Sequence, residues 1–445
     1  MDFLLNIVRG FVGVAFFIGL AYLFSSNKKK IDWRLVLSGL SLQIILGLLL
    51  IGGAQYNGNS EFVRTALSIF PGVFDWVSQR FVVVLGYTTE GSKFIFGDLV
   101  YSDSLGFIFA VNVLPTVIFF STLTAGLYYL GVLQFVVKGI AWVMAKTMRL
   151  SGAESLSAAG NIFLGQTEAP LLVKPFVPKM TKSELMCLMT GGMATIAGGV
   201  LASYVGMLGG ESVEQQAKFA SYLLSASVLN APAAIILSKI LIPETDRESV
   251  DTSLNVNSET LGVNLIDALA NGASEGLKLA LNIGGMLLAF IALIAALNGL
   301  LGWVGDFSGL NGLIATSTNG NFDSLSMEFL LGQIFRVFAF FMGVDWAESS
   351  LVGSLVGTKL VVNEFVAYSG LQEFMGSGVL SKKSIVISTY ALCGFANFSS
   401  IAIQIGGIGG MAPTQQGNIS KLGFKALFAA TIATMLTGTI AGAFF

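Results

Sequence analysis

Apolar residues in this chain come in runs too long for strands and too continuous for the one-sided stripe of a soluble helix. Eight runs, 7–24, 35–54, 107–130, 185–208, 219–241, 277–301, 384–405 and 422–445, have the length that crosses a bilayer, which takes roughly 20 predominantly apolar residues. Three more segments, 61–85, 134–150 and 325–341, interleave charged with aromatic and aliphatic residues and predict helices lying on the membrane surface. Residues 91–97 read as a turn-rich outer segment, and 406–421 as a glycine-rich inner loop.

Two stretches fit neither description. Residues 160–180 are apolar around Gln166, Thr167 and Glu168, and Pro170, Pro175 and Pro178 remove backbone donors. In 357–368, Lys359, Asn363 and Glu364 interrupt an apolar run. Broken polar backbone at membrane depth persists only where protein buries it or where it lines a watery cavity. Each stretch therefore predicts a re-entrant hairpin with polar residues at its tip. A polar loop between spans is the plainer alternative.

The cluster Lys28, Lys29, Lys30 and Arg34 follows the first run and fixes that loop on the cytoplasmic side. Both termini are then periplasmic, and the hydrophilic segment 243–258 is a cytoplasmic linker. Surface helix, hairpin, span, span occurs once in 134–241 and again in 325–445, with the first hairpin opening inward and the second outward. The expected fold is thus an all-α integral membrane protein with eight transmembrane helices, two opposed hairpins, three surface helices and an inverted repeat. Such repeats place a transporter's site at mid-membrane between them. Residues 1–133 would be mostly scaffold, 134–241 the first repeat, 242–324 linker and scaffold, and 325–445 the second repeat.

Composition narrows the function. Hydrophobic residues make up 54% of the 445, charged residues only 11%, and mean hydropathy is +0.78. A net charge of −2 gives no reason to expect nucleic acid as a partner. There is no histidine, so the commonest metal ligand and acid–base group is missing. Cys187 and Cys393 lie in apolar runs without a redox or metal spacing. A membrane-embedded enzyme would want paired acids on soluble loops or a metal cluster, so the chain reads as a non-enzyme. A passive channel is the closer rival, and uphill accumulation of solute separates it from a carrier.

Each tip holds one carboxylate, Glu168 or Glu364. Ionisable groups at membrane depth cost at least about 2.5 kcal/mol and mark pathways or sites; the alternative is a buried pair in which Lys359 neutralises Glu364. Each hairpin is answered by a span with its own polar break, at Thr195 and at Asn397. Gln166, Thr167, Glu168, Glu364, Asn397 and Ser400 together suit a neutral polyhydroxylated or heterocyclic solute. No arginine sits among them, which argues against phosphate or dicarboxylate. Phe395 offers a flat face for a ring, although an isolated phenylalanine also serves as packing. Asn161 and Thr195, with backbone carbonyls of Leu164 and Ile196, offer oxygens for a sodium ion. Proton coupling is the alternative and would need Glu168 or Glu364 to carry the proton.

Gly357-Thr-Lys-Leu-Val-Val-Asn-Glu-Phe-Val-Ala-Tyr368 resembles the signature of the concentrative nucleoside transporters. Gly165-Gln-Thr-Glu-Ala-Pro170, the run Gly191-Gly-Met-Ala-Thr-Ile-Ala-Gly198 and Phe395-Ala-Asn-Phe-Ser-Ser400 are also similar to that family. The resemblance covers essentially the whole chain. It implies a bacterial inner-membrane homotrimer that imports nucleosides down a cation gradient, with a scaffold against which each hairpin-bearing unit shifts. It also implies that Gln166, Thr167, Glu168 and Val200 face the base, that Glu364, Asn397 and Ser400 bind the ribose with Phe395 beside them, and that Asn161, Leu164, Thr195 and Ile196 hold sodium.

Overall fold

Many of the helices in this protein begin where a side chain caps them. A computed structural model describes residues 2–53, 61–101, 108–210, 212–246 and 262–445, and among these there is no strand. Helix α1 is Asp2–Leu23. Asp32 then accepts from the N–H groups of Arg34 and Leu35 at 3.1 and 3.2 Å and starts α2, Trp33–Gly47, which a π turn extends to Gly52. Helix α3 is Glu61–Phe96, α4 is Leu114–Tyr129 after one short turn, and α5 is Val132–Met148.

The first hairpin descends as α6, Gly152–Gly160, and returns in two 3-10 turns with Pro170 and Pro178 at their starts. A broken span follows, α7 (Lys182–Ala194) and α8 (Gly198–Gly209), then the long α9, Val213–Leu241. Capping boxes Ser151/Glu154 and Thr181/Glu184 start α6 and α7, satisfying helix-end donors reciprocally. After α10, Leu265–Ser308, come α11, Leu310–Ser317, and α12, Met327–Phe341. The second hairpin is a pair of full helices, α13 (Ser349–Val361) and α14 (Glu364–Ser377). It too precedes a broken span, α15 (Lys382–Leu392) and α16 (Phe398–Met411), and a long final helix, α17 (Gln416–Phe444). The order of elements from α5 to α9 therefore recurs from α12 to α17.

Burial sorts these helices. α7–α8, α9 and α17 are almost wholly buried, α1, α2 and α4 have only a minority of their residues buried, and α10 has the smallest buried share of the long helices. Both hairpins lie against the buried set, with α13 also packed on α12 and α4 on α10. Eight helical segments have the length and apolarity of a membrane span. Seven coincide with runs read from the sequence; the eighth by this measure is 68–100, read above as a surface helix. The run 384–405 does not count as one helix because it breaks into α15 and α16, as 182–209 breaks into α7 and α8.

Three boundaries differ from the expectation. Residues 91–96 are helical, and the turn comes only at Gly97, at φ +59°; an internal glycine costs a helix about 1 kcal/mol, too little to end one flanked by good helix formers. The glycine-rich inner loop is the end of α16 and the start of α17, joined by one 3-10 turn at Pro413–Gln415; within α16 Gly407 gives room to Thr167 and Gly409 to Gln416. The sixth span is only the middle of a 44-residue helix, about 66 Å long at 1.5 Å per residue. Most of the linker, 247–258, and the start of the third span, at 107, lie outside the described residues.

Candidate substrate and ion site

The tip of the first hairpin, 161–168, is non-helical and sits in the break between α7 and α8. Gly198 N–H donates to the Phe163 carbonyl at 3.0 Å, and a Cβ on Gly165 would stand 3.3 Å from that of Ala197. The second tip is shorter, because Asn363 caps α14 at once by accepting from Val366 N–H at 3.0 Å. That places Glu364 in the first turn of α14, where the positive end of the helix favours a carboxylate.

The two broken spans cross at their breaks. Phe395 N–H donates to the Thr195 carbonyl at 3.2 Å. Gly394 lies so close that an added Cβ would be 2.7 Å from the Ala194 oxygen, so only glycine fits there.

Around this crossing runs a continuous chain of hydrogen bonds. Tyr204 Oη on α8 donates to Glu364 Oε1 at 2.9 Å, and Asn397 Nδ2 donates to Glu364 Oε2 at 3.0 Å. Asn397, the cap of α16, accepts on Oδ1 from Ser400 N–H at 3.0 Å and Ser400 Oγ at 3.1 Å. Gln166 Nε2 in turn donates to Ser400 Oγ at 3.1 Å. One tip is thereby joined to the other through the second broken span. A carboxylate has about four lone-pair sites, so Glu364 keeps acceptor capacity after Tyr204 and Asn397 are satisfied.

The remaining candidates fall into place around the chain. Gln166 is buried and its Oε1 has no partner. Thr167 and Glu168 are exposed, and Glu168 Oε2 accepts from its own turn, at Gly165 N–H, 3.0 Å away. Val200 is buried on α8, one helical turn before Tyr204 and on the same face. Phe395 is half-buried beside Asn397. Tyr204 was absent from the sequence reading, and that i, i+4 relation to Val200 was the one signal that pointed to it. Lys359 does not neutralise Glu364 by contact: its Nζ donates to the Ala391 carbonyl and to Thr434 Oγ1, both at 2.8 Å.

Asn161 ends α6 and is 1% exposed, yet neither its Oδ1 nor its Nδ2 has a hydrogen-bond partner. Such orphaned buried groups are rare and call for an occupant. Leu164 and Ile196 are both in non-helical backbone, and Thr195 Oγ1 donates to the Gly191 carbonyl at 2.9 Å, which leaves its lone pairs available. The donor set is entirely oxygen and uncharged, which fits a hard monovalent cation such as sodium.

A helical membrane protein whose two dipping hairpins meet two broken spans around a carboxylate and an oxygen-lined niche is a secondary transporter. More particularly, the chain belongs to the concentrative nucleoside transporter family. Residues 12–99 and 222–442 match the N- and C-terminal models of the Na+ dependent nucleoside transporters, and 110–211 match a nucleoside recognition (Gate) model. It is 42% identical to the uncharacterized transporter YutK of Bacillus subtilis, over 99% of this chain and 100% of that one. It is 37% identical to sodium/nucleoside cotransporter 1 of Mus musculus, over 97% of this chain and 63% of the mouse protein. The structure of CNTnw in an inward-facing, substrate-bound state superposes with a TM-score of 0.85 at 37% identity, covering 99% of this chain and 98% of that one. CNTnw variants in outward-facing and intermediate states fit about equally well, at 0.84 to 0.87.

Proposed function

We propose that this protein imports nucleosides across the bacterial inner membrane by symport with sodium, and that the crossing of the two broken spans is its substrate site. The observation that carries the reading is the hydrogen-bond chain from Tyr204 through Glu364, Asn397 and Ser400 to Gln166, which ties the two tips around one carboxylate. Two adjacent ribose hydroxyls donating to Glu364 would make charge-assisted bonds, stronger than neutral ones. Asn397 and Ser400 flank that carboxylate on the sugar side. Gln166, with its unpartnered Oε1, and the exposed Thr167 and Glu168 meet the base, with Val200 closing that side and Phe395 beside the ring.

Sodium is assigned to Asn161 Oδ1, the Thr195 hydroxyl and the carbonyls of Leu164 and Ile196. Because the first tip carries both Asn161 and Gln166, ordering the ion's ligands also orders the residues that read the base. That linkage is the physical content of coupling: each ligand binds better when the other is present.

In this reading the chain is multi-pass with both termini periplasmic, and 1–133 and 242–324 supply most of the scaffold of a homotrimer. The repeats, 134–241 and 325–445, are inverted and form the unit that shifts. Uptake of radiolabelled uridine into proteoliposomes tests it. Accumulation that follows an imposed sodium gradient at fixed pH is expected. Full uptake in choline buffer under a proton gradient would replace sodium by the proton, and the absence of any uphill accumulation would point to a channel.

A further inference from the structure

Each repeat brings the ends of two helices together: α6 with α7 in the first, α13 with α15 in the second. The C-terminal end of a helix carries partial negative charge and carbonyls without intrahelical donors. Each tip also carries one carboxylate, Glu168 in the first repeat and Glu364 in the second. Two sites of the same polarity should both require positive charge.

Among the described residues, only one of the two has a basic side chain in the last turns of its helices. The last turns of α6 and α7 contain no basic residue, whereas Lys359 lies in the last turn of α13. Lys359 is 0% exposed. Its Nζ reaches the Ala391 carbonyl near the end of α15. In an unbroken helix that carbonyl would accept from Phe395 N–H, but Phe395 N–H goes to Thr195 on the other broken span. The lysine thus fills a vacancy that the break creates, with Thr434 Oγ1 as its second acceptor. In the first repeat the equivalent carbonyl, that of Gly191, accepts from Thr195 Oγ1 at 2.9 Å, and the polar atoms left without a partner beside it are those of Asn161, whose Nδ2 would stand 2.8 Å from a Cβ on Gly191.

We propose that the Lys359 ammonium is a built-in cation, standing at the end of α13 and the break of the second span where the first repeat places its exchangeable sodium ion. One repeat carries a tethered positive charge and the other borrows one from solution, so only the first responds to the sodium gradient. The inference rests on the sodium site proposed above. It adds that Lys359 is a positioning residue, whose charge holds the second tip and the Glu364 carboxylate ready for the sugar.

Titration calorimetry of uridine against the purified full chain tests this, in sodium chloride replaced stepwise by choline chloride. Lys359→Met is expected to weaken uridine binding roughly tenfold or more and to steepen its dependence on sodium, as a second ion is drawn to the vacated place. In Lys359→Ala, propylammonium is expected to restore binding where choline, being too bulky, does not. Thr434→Asp keeps the lysine and neutralises it in place, so it should weaken uridine as Lys359→Met does; it decides the matter if Lys359→Met is not recovered folded. Parent-like affinity and sodium dependence in Lys359→Met or Thr434→Asp would overturn the inference, as would a Lys359→Ala defect that propylammonium leaves untouched. Asn161→Ala separates the two ideas. Loss of sodium dependence there, with Lys359→Met unchanged, leaves the sodium site standing and removes only the tethered cation. Sodium dependence that survives Asn161→Ala removes both.

Discussion

The phenol of Tyr204 donates to Oε1 of Glu364 at 2.9 Å, across 160 residues of sequence and between the two repeats. With Asn397 on the other oxygen, it fixes the plane of the carboxylate and therefore the direction of its remaining lone pairs. Hydrogen bonds to charged groups contribute about 1.5–3 kcal/mol. Tyr204→Phe is expected to weaken uridine binding by roughly tenfold while leaving the fold intact. Titration calorimetry checks the affinity, and thermal melting the fold.

If Glu364 accepts from the sugar, its substitution should depend on what the sugar offers. Glu364→Gln is expected to weaken uridine far more than 2′,3′-dideoxyuridine, measured side by side by displacement of radioligand. Equal losses for the two ligands would mean that the carboxylate serves the fold and not the ribose.

Base recognition makes a different kind of prediction. Gln166→Ala removes the donor to Ser400 and the unpartnered Oε1 together, and Glu168→Gln removes an exposed charge from the same tip. Both are expected to reorder a panel of purine and pyrimidine nucleosides in competition assays. A uniform drop across the panel would count against a role at the base.

Asn161 separates stability from function. An unsatisfied buried polar group costs about 1–3 kcal/mol, so Asn161→Ala should melt no lower than the parent in sodium-free buffer. The rise in melting temperature that sodium gives the parent is expected to vanish in the variant, and sodium-driven uptake with it. A parent-like sodium shift would remove Asn161 from the ion site.

Close approach at the crossing carries a stability prediction. In Gly394→Ala the new methyl would stand 2.7 Å from the Ala194 oxygen and 2.8 Å from Thr434 Cγ2. Neither neighbour has room to retreat, and overpacking of this kind costs about 1–3 kcal/mol. A lower melting temperature in detergent, with reduced uptake, is the expected result.

Both tips were legible in the sequence because polar residues and prolines inside apolar runs have few physical outlets in a membrane. The breaks at Thr195 and Asn397 were legible for the same reason. Tyr204 was not, since a tyrosine in an apolar helix has the composition of ordinary packing: its i, i+4 relation to Val200 marks a shared face but not its partner across the repeats, Glu364. Lys359 was legible as a buried charge but not in its target, because nothing local shows that the Ala391 carbonyl has lost its donor. Glycine misled twice, at 91–96 and at 406–410. There it is not punctuation: the helix continues, and at Gly407 and Gly409 a neighbouring side chain occupies the space a Cβ would fill. The full length of α10 was hidden because its ends are too polar for a hydropathy window that seeks only the bilayer's thickness.

The bond from Phe395 N–H to the Thr195 carbonyl has a mechanical consequence. It pins the two broken spans to each other at the one level where neither has helical hydrogen bonds to spare, with Gly394 seated against Ala194 beside it. Sliding one half of the molecule past the other would leave an amide and a carbonyl bare in the middle of the protein. In the transport cycle proposed above, the pocket would therefore travel as a single solid piece, with exposure to either side of the membrane set by where that piece sits, not by how far its halves part.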